Sequence, residues 1–126
     1  MFESRKTILV VEDEKDMSRV LEVRLQDLGY KVITAKDGQE GLDKAKSEKI
    51  DLIILDLMLP KVPGEQVCRE IRKDQQIGDI PILMLTAKSQ DVDKVVGKVI
   101  GANCYLSKPF DSVILIEEIE KLLKPG

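Results

Sequence analysis

Histidine is absent from this chain, tryptophan is absent too, and cysteine occurs only twice. Without histidine, three kinds of site are excluded: a Ser-His or Cys-His nucleophile, a histidine-ligated zinc ion and a histidine proton relay. Cys68 and Cys104 lack metal-ligand spacing, so we expect buried, reduced thiols and a cytoplasmic location. Any chemistry must therefore rest on carboxylates, lysine, hydroxyl groups, tyrosine or cysteine.

Long apolar runs and blocks of basic residues are missing as well. No run approaches the length of a membrane span, and the amino terminus, MFESRK, has no signal-peptide core, so we expect no membrane insertion. The net charge of −3, without a Lys/Arg block, argues against nucleic acid as a direct partner. The 126 residues are 43% hydrophobic and 34% charged, which predicts one globular domain spanning residues 1–126.

Short apolar runs are present instead, and most of them do not alternate with polar residues. Continuous runs of this kind are typical of strands covered on both faces, as in parallel sheets. The predicted strands are residues 8–11, 32–35, 52–55, 82–85 and 104–106.

Segments with helical spacing follow the predicted strands. The clearest apolar stripes end at Gly29, at Gly101 and near the end of the chain. Segments 38–47 and 64–73 are shorter and have fewer apolar positions. Strand followed by helix, five times, predicts an α/β sheet with right-handed crossovers. The three clear stripes are Met17, Val20, Leu21, Leu25 and Leu28; Val92, Val95, Val96, Val99 and Ile100; and Leu115, Ile116, Ile119, Leu122 and Leu123.

Polar side chains stand at the ends of four predicted strands. Since parallel strands end at one edge of a sheet, three acids, a hydroxyl and an ammonium should converge there. Taken singly, each has an ordinary explanation as a turn or cap residue; Asp13 or Asp16, for example, could cap the first helix. The converging residues are Glu12, Asp13, Asp56, Thr86 and Lys108.

Crowded carboxylates repel one another unless a cation neutralises them. Hard oxygen ligands favour Mg²⁺ or a similar ion, which is often shared with a phosphate. Asp56 then becomes a nucleophile that forms an aspartyl phosphate, and Lys108 and the metal stabilise the transferring oxygens.

Four segments, VVEDE, LIILDLMLP, MLTAKS and CYLSKPF, together resemble the receiver domain of two-component response regulators. The resemblance covers nearly the whole chain, with the motifs in the family's order. It implies a flavodoxin-like (βα)5 fold, with a five-stranded parallel sheet of order 2-1-3-4-5 and helices on both faces.

The same resemblance assigns a metal site and a phosphoacceptor. Asp56 matches the phosphoacceptor and also binds Mg²⁺ (or Mn²⁺). Asp13 matches a direct metal ligand, the backbone carbonyl of Met58 a further ligand, and Glu12 a residue that acts through water.

Three more residues carry roles by resemblance. Lys108 pairs with the acceptor carboxylate and then with the phosphate, and its bond to Pro109 is usually cis. Thr86 matches the switch hydroxyl, and Tyr105 the aromatic that moves inward on activation. Met58 and Lys88 occupy positions that set the phosphoryl lifetime, and an apolar shield at Met58 favours a long one.

These assignments predict a regulatory switch rather than an enzyme acting on other substrates. A sensor histidine kinase or phosphotransfer protein would phosphorylate Asp56. The changed surface of the fourth helix, fifth strand and fifth helix would then bind a protein target or a second copy. One alternative, a haloacid dehalogenase-type hydrolase, would need an aspartate at Met58. The other, an interaction module that is never phosphorylated, has no need of the complete residue set.

Overall fold

A computed structural model describes residues 5–86 and 101–124 of the chain. Its five strands form one parallel sheet of order β2-β1-β3-β4-β5, which confirms the predicted order. Asp56, the last residue of β3, is aligned with Leu85, and Thr86 is aligned with Ser107. The strands are β1 (Thr7–Val11), β2 (Lys31–Ala35), β3 (Leu52–Asp56), β4 (Ile82–Thr86) and β5 (Cys104–Ser107).

Four helices lie in the described ranges: α1 (Lys15–Asp27), α2 (Gly38–Ser47), α3 (Gly64–Lys73) and the C-terminal helix α4 (Ser112–Leu123). The bounds predicted for the two weaker segments, 38–47 and 64–73, are confirmed. The helix predicted over residues 92–100, and Lys88, lie outside the described residues.

The sheet has an apolar layer on each face because successive strand residues point to opposite sides. In β1, for example, Leu9 and Val11 pack with α2 and α3, whereas Ile8 and Val10 pack with α1 and α4. The prediction of helices on both faces is therefore confirmed, and the continuous apolar runs reflect burial on both sides.

The apolar stripe of α1 is only partly buried. Val20 and Leu28 are 54% and 49% exposed, because the helix turns only the Leu21–Leu25 side fully onto the sheet. The residue before the first turn is Glu14, whose side chain makes no capping hydrogen bond. The alternative in which Asp13 or Asp16 caps this helix does not apply, because Asp13 precedes the cap position and Asp16 lies inside the first turn, where its charge interacts favourably with the helix dipole.

The two outer strands are less buried than the central three. On β2 the backbone oxygen of Thr34 accepts a hydrogen bond from Lys44 Nζ at 2.7 Å. On β5, Cys104 is only partly buried, whereas Cys68 in α3 is fully buried. The prediction of two buried thiols therefore holds for Cys68 alone, because Cys104 stands on an edge strand. Among the helices of residues 5–86 and 101–124, none is long and apolar enough to cross a membrane.

Arg72, near the end of α3, organises the amino-terminal edge of the sheet. The carboxamide oxygen of Asn103, one of its partners, also accepts from the backbone N–H of Ile82, the first residue of β4, at 2.8 Å. Nearby, Asp51 Oδ2 accepts from the N–H of Thr7, the first residue of β1. The guanidinium of Arg72 donates at 2.7 to 2.9 Å to the backbone oxygens of Gly78, Ile80 and Gly101 and to Asn103 Oδ1.

Candidate functional site

The three predicted acids meet at the carboxyl-terminal edge of the sheet. Asp56 is the last residue of β3, and Glu12 and Asp13 directly follow β1, the neighbouring strand. One carboxylate oxygen from each lies within 4.8 Å of the other two. Glu12 and Asp56 are buried, at 2% and 4% exposure, whereas Asp13 faces solvent. The structure therefore confirms that these acids converge.

Lys108 joins the cluster from the end of β5. Its ammonium nitrogen lies 2.9 Å from Asp56 Oδ2 and 3.0 Å from Glu12 Oε1. The backbone N–H of Lys108 donates to the carbonyl of Thr86 at 2.8 Å, and the Lys108–Pro109 bond is cis, as the resemblance implies. One ammonium thus bridges two carboxylates that are 96 and 52 residues away in sequence.

Backbone donors hold the second oxygens of the two buried acids. The N–H of Met58 donates to Asp56 Oδ1 at 3.0 Å, and the N–H of Glu14 donates to Glu12 Oε2 at 3.1 Å. Each carboxyl group is therefore fixed in orientation by Lys108, which contacts both, and by a backbone amide of its own. Such fixed orientation is what a site of phosphoryl transfer requires, since catalysis there depends mainly on positioning and charge.

Two groups of the cluster, Glu12 and Lys108, have raised pKa values. The pKa of Glu12 is raised from 4.5 to about 7: burial is the largest cause and Asp56 adds to it, while the hydrogen bonds from Lys108 and from the Glu14 amide oppose the rise. Burial also lowers the pKa of Lys108, but its contacts with Asp56 and Glu12 outweigh burial, so that pKa is raised overall. The ammonium of Lys108 thus does not offset the burial of Glu12, whose pKa stays raised.

A divalent ion fits this donor set. Carboxylate and carbonyl oxygens are the ligands that Mg²⁺ prefers, at about 2.1 Å, so two ligands of one ion lie at most about 4.2 Å apart. Oxygens that lie within 4.8 Å of one another need only a small side-chain adjustment to share an ion. The exposure of Asp13 leaves a side of the cluster open for the ion and its waters.

Thr86 and Tyr105 lie beside the acids rather than among them. The Thr86 hydroxyl is buried and donates to the carbonyl of Leu106 at 3.5 Å, a long hydrogen bond. Tyr105 is partly buried and packs against the apolar layer under α2 and α3. Its alignment with Met84, two residues before Thr86, places both side chains on the same face of the sheet.

Met58 turns its side chain outward, with 72% of it exposed. The side chain lines an open groove of about 560 Å³ that reaches Asp13 and Pro63. Sequence reasoning missed the contact of the Met58 amide with Asp56. It also missed Asp37, which joins the start of α2 through Lys61 to the loop between β3 and α3. A signal for Asp37 was present, because Asp-Gly before a helical segment is typical of a helix start.

A doubly wound parallel sheet whose carboxyl-terminal edge joins acids and a lysine defines the receiver class of signalling domains. The model of the response regulator receiver domain family matches residues 8–120, and the chain belongs to this family. Receiver domains are regulatory: they bind Mg²⁺ at an acidic site, and response regulators interact with histidine kinases and downstream targets.

Two curated relatives show how far the similarity extends. The chain is 46% identical over 119 residues to the alkaline phosphatase synthesis transcriptional regulatory protein PhoP of Bacillus subtilis, covering 94% of this chain and 49% of that protein. It is 50% identical over 117 residues to the response regulator ArlR of Staphylococcus aureus, covering 93% and 52%. The chain thus spans about half the length of these relatives.

Solved structures share the fold. The chemotaxis response regulator CheY4 of Vibrio cholerae matches with a TM-score of 0.89 at 35% identity, over 95% of this chain and 100% of that one. The receiver domain of the sensor histidine kinase PA1611 from Pseudomonas aeruginosa PAO1 matches with a TM-score of 0.88 at 32% identity, over 95% and 98%. That second structure has a magnesium ion coordinated in its active-site cleft.

Proposed function

We propose that this receiver domain, taken as a single unit over residues 1–126, accepts a phosphoryl group on Asp56 in a Mg²⁺-dependent reaction. The donor is a sensor histidine kinase or a phosphotransfer protein. The observation that carries the proposal is the Lys108 ammonium, which lies within 3.0 Å of oxygens of both Asp56 and Glu12, beside the exposed carboxylate of Asp13.

The chemistry is an in-line displacement. A carboxylate oxygen of Asp56 attacks the phosphorus atom, the bond to the donor's imidazole nitrogen breaks, and the departing imidazole keeps the electron pair. Lys108, already 2.9 Å from Asp56, then donates hydrogen bonds to the phosphoryl oxygens and stabilises their negative charge. Mg²⁺ (or Mn²⁺), when bound, neutralises the charge that gathers on those oxygens. Asp13, Asp56 and the Met58 carbonyl would hold the ion, and Glu12 would act through water.

The environment of Met58 favours a regulatory domain over an aspartyl-phosphate hydrolase. A hydrolase of that type needs a second carboxylate two residues after the nucleophile, to handle the proton of the leaving group. Here that position carries an apolar side chain that is 72% exposed. The phosphoryl group can therefore persist long enough to carry a signal.

Thr86 and Tyr105 form the proposed reporter of phosphorylation. The phosphoryl group adds a charge of about −1.5 to −2 and three strong acceptor oxygens. The Thr86 hydroxyl gives up little when it leaves the carbonyl of Leu106, since that hydrogen bond is 3.5 Å long. Tyr105, on the same face of the sheet, then moves inward.

The movement of Tyr105 alters the surface that includes β5 and α4, together with the helix predicted over residues 92–100. This is the face through which we expect a protein target, or a second copy of the chain, to bind.

Intact-mass spectrometry after incubation with acetyl phosphate and Mg²⁺ tests the proposal. Wild type and the control Asp43→Asn, which removes an exposed acid of α2, should each gain one phosphoryl group. Asp56→Asn should gain none, and EDTA should abolish labelling of every variant. Equal labelling of Asp56→Asn and wild type would show that the phosphorylated residue is not Asp56. No labelling of wild type by acetyl phosphate or by a phosphorylated kinase would instead favour the interaction module.

A further inference from the structure

The loop between β3 and α3, residues 57–63, rests on the first turn of α2. Lys61 Nζ lies 3.4 Å from Asp37 Oδ2, and the N–H of Gly38 points to the carbonyl of Pro60 at 3.5 Å. A Cβ atom at Gly38 would overlap the carbonyl oxygen of Val62. The loop can therefore approach α2 this closely only because position 38 is glycine.

Lys61 has a backbone conformation that lysine disfavours. Its φ is +66°, in the left-handed region that glycine occupies at little cost. Conformations of this kind persist only where the surroundings enforce them, and they are concentrated at functional sites. Asp37 is an effective anchor because Oδ1 accepts from the N–H of Glu40 at 2.8 Å, which leaves Oδ2 for the lysine.

The same loop touches the phosphoacceptor at its other end. The N–H of Met58 donates to Asp56 Oδ1, and the N–H of Gly64 donates to the carbonyl of Leu57, each at 3.0 Å. A Cβ atom at Gly64 would overlap the backbone oxygen of Asp56. A shift of the loop away from α2 therefore moves the Met58 peptide group relative to Asp56.

We propose that Lys61 and Gly38 are positioning residues: they seat loop 57–63 on α2 and so fix the Met58 peptide group against Asp56 and the metal. The inference rests on the proposed function, in which the Met58 carbonyl is a metal ligand. It predicts the opposite of what the charge of the Lys61 ammonium alone would predict for Mg²⁺ affinity. Removing a nearby ammonium should by itself strengthen Mg²⁺ binding, whereas releasing loop 57–63 from α2 should weaken it.

The test is a titration of ¹⁵N-labelled protein with MgCl₂, together with thermal unfolding in EDTA. Lys61→Met should bind Mg²⁺ about 3-fold more weakly, and Lys61→Gly should do the same while melting at a higher temperature, because glycine removes the backbone strain. Lys61→Arg should keep the wild-type affinity. Lys46→Met, which removes an exposed charge from the last turn of α2, is the matched control and should not weaken binding.

Gly38→Ala extends the test, with an expected loss of about 10-fold or more in Mg²⁺ affinity. Its control is Gly41→Ala in the same helix, where a Cβ would meet the two methyl groups of Val11 at 2.9 and 3.0 Å rather than the loop. Gly41→Ala should leave the metal affinity near that of wild type.

Wild-type or tighter Mg²⁺ binding by Lys61→Met would overturn the inference. A parallel fall of affinity and melting temperature in Lys61→Gly would also overturn it, since a purely structural role moves both together. The metal-free spectrum separates this inference from the proposed metal site. If wild type bound no Mg²⁺, a shifted NMR signal of the Met58 amide in Lys61→Met would still show that Lys61 positions the loop. An unshifted signal would show that it does not.

Discussion

The two edges of the sheet treat polar groups in opposite ways. At the amino-terminal edge, the Arg72 guanidinium is surrounded by oxygen acceptors, and Asn103 shares its oxygen with the first residue of β4. At the carboxyl-terminal edge, three carboxyl groups lie together, and two of them, those of Glu12 and Asp56, share the ammonium of Lys108. The polar groups of the first edge pair with one another within the chain, whereas the second is the edge at which we propose that an ion and a phosphoryl group bind. Stability and function are thus concentrated at opposite ends of the same strands.

The strongest test of this comparison is Arg72→Ala. It should lower the free energy of unfolding by about 2–4 kcal/mol, since charge-assisted hydrogen bonds to several backbone oxygens are lost together. The labelling of Asp56 by acetyl phosphate in the folded protein should stay near the wild-type rate. Urea unfolding measures the first quantity and mass spectrometry the second, with Arg69→Ala, an exposed arginine of the same helix, as control. A large fall in labelling rate in a folded Arg72→Ala would show that the two edges are coupled.

A second prediction concerns pH. Because the pKa of Glu12 is raised by burial to about 7, the folded protein retains a proton between pH 4.5 and 7 that the unfolded chain has released. The contribution of Glu12 to stability is therefore full below pH 4.5 and is lost as the pH rises through 7. In EDTA, the stability of wild type relative to Glu12→Gln should fall by about 2 kcal/mol across that window. Urea titrations at several pH values measure it, and a constant difference would contradict the burial argument.

A smaller change in stability is expected for Thr86→Ala, about 1 kcal/mol, because only a methyl group and a long hydrogen bond are lost. Its effect on switching should be large. The variant should still accept beryllofluoride, an imitation of the acyl phosphate, at Asp56. It should nevertheless lose most of the NMR change at the Tyr105 ring, whereas Thr86→Ser should keep it. A wild-type spectral change in Thr86→Ala would mean that the hydroxyl does not couple the two residues.

The smallest effect on unfolding is expected for Asp13→Asn, within about 0.5 kcal/mol, because the side chain is exposed. Its Mg²⁺ affinity should nevertheless fall by more than about 100-fold, against about 10-fold for Glu12→Gln, which is assigned to act through water. Calorimetric titration with MgCl₂ compares the two variants. Equal losses of affinity would contradict the assignment of Asp13 as a direct ligand and of Glu12 as a residue that acts through water.

Much of this arrangement was predictable because it follows from local pattern and strand order. The runs that became β1, β3 and β4 are apolar on both faces, and each ends directly before or on a polar residue of the site. Parallel topology then places those residues at one edge. The short segments 38–47 and 64–73 also formed helices, since each keeps its few apolar residues on one buried side.

Contacts between distant segments were not predictable in the same way. Arg72 reads as an ordinary basic residue in the last turn of α3, and nothing local indicates that Asn103, 31 residues later, lies against it. The exposure of Val20 depends on how α1 rolls on the sheet, which the helical period fixes only within a broad stripe. The left-handed backbone at Lys61 is likewise a tertiary effect, because lysine does not signal it.

The edge of β2 has a consequence for the behaviour of the chain in concentrated solution. An outer strand with unpaired backbone groups is a template on which a strand of another molecule can add, and proteins protect such edges with charged side chains. Lys44, whose ammonium donates to the carbonyl of Thr34 at 2.7 Å, occupies an acceptor on that rim and places a positive charge in the path of an incoming strand. The lysine thereby disfavours the addition of a strand from a second molecule at the β2 edge.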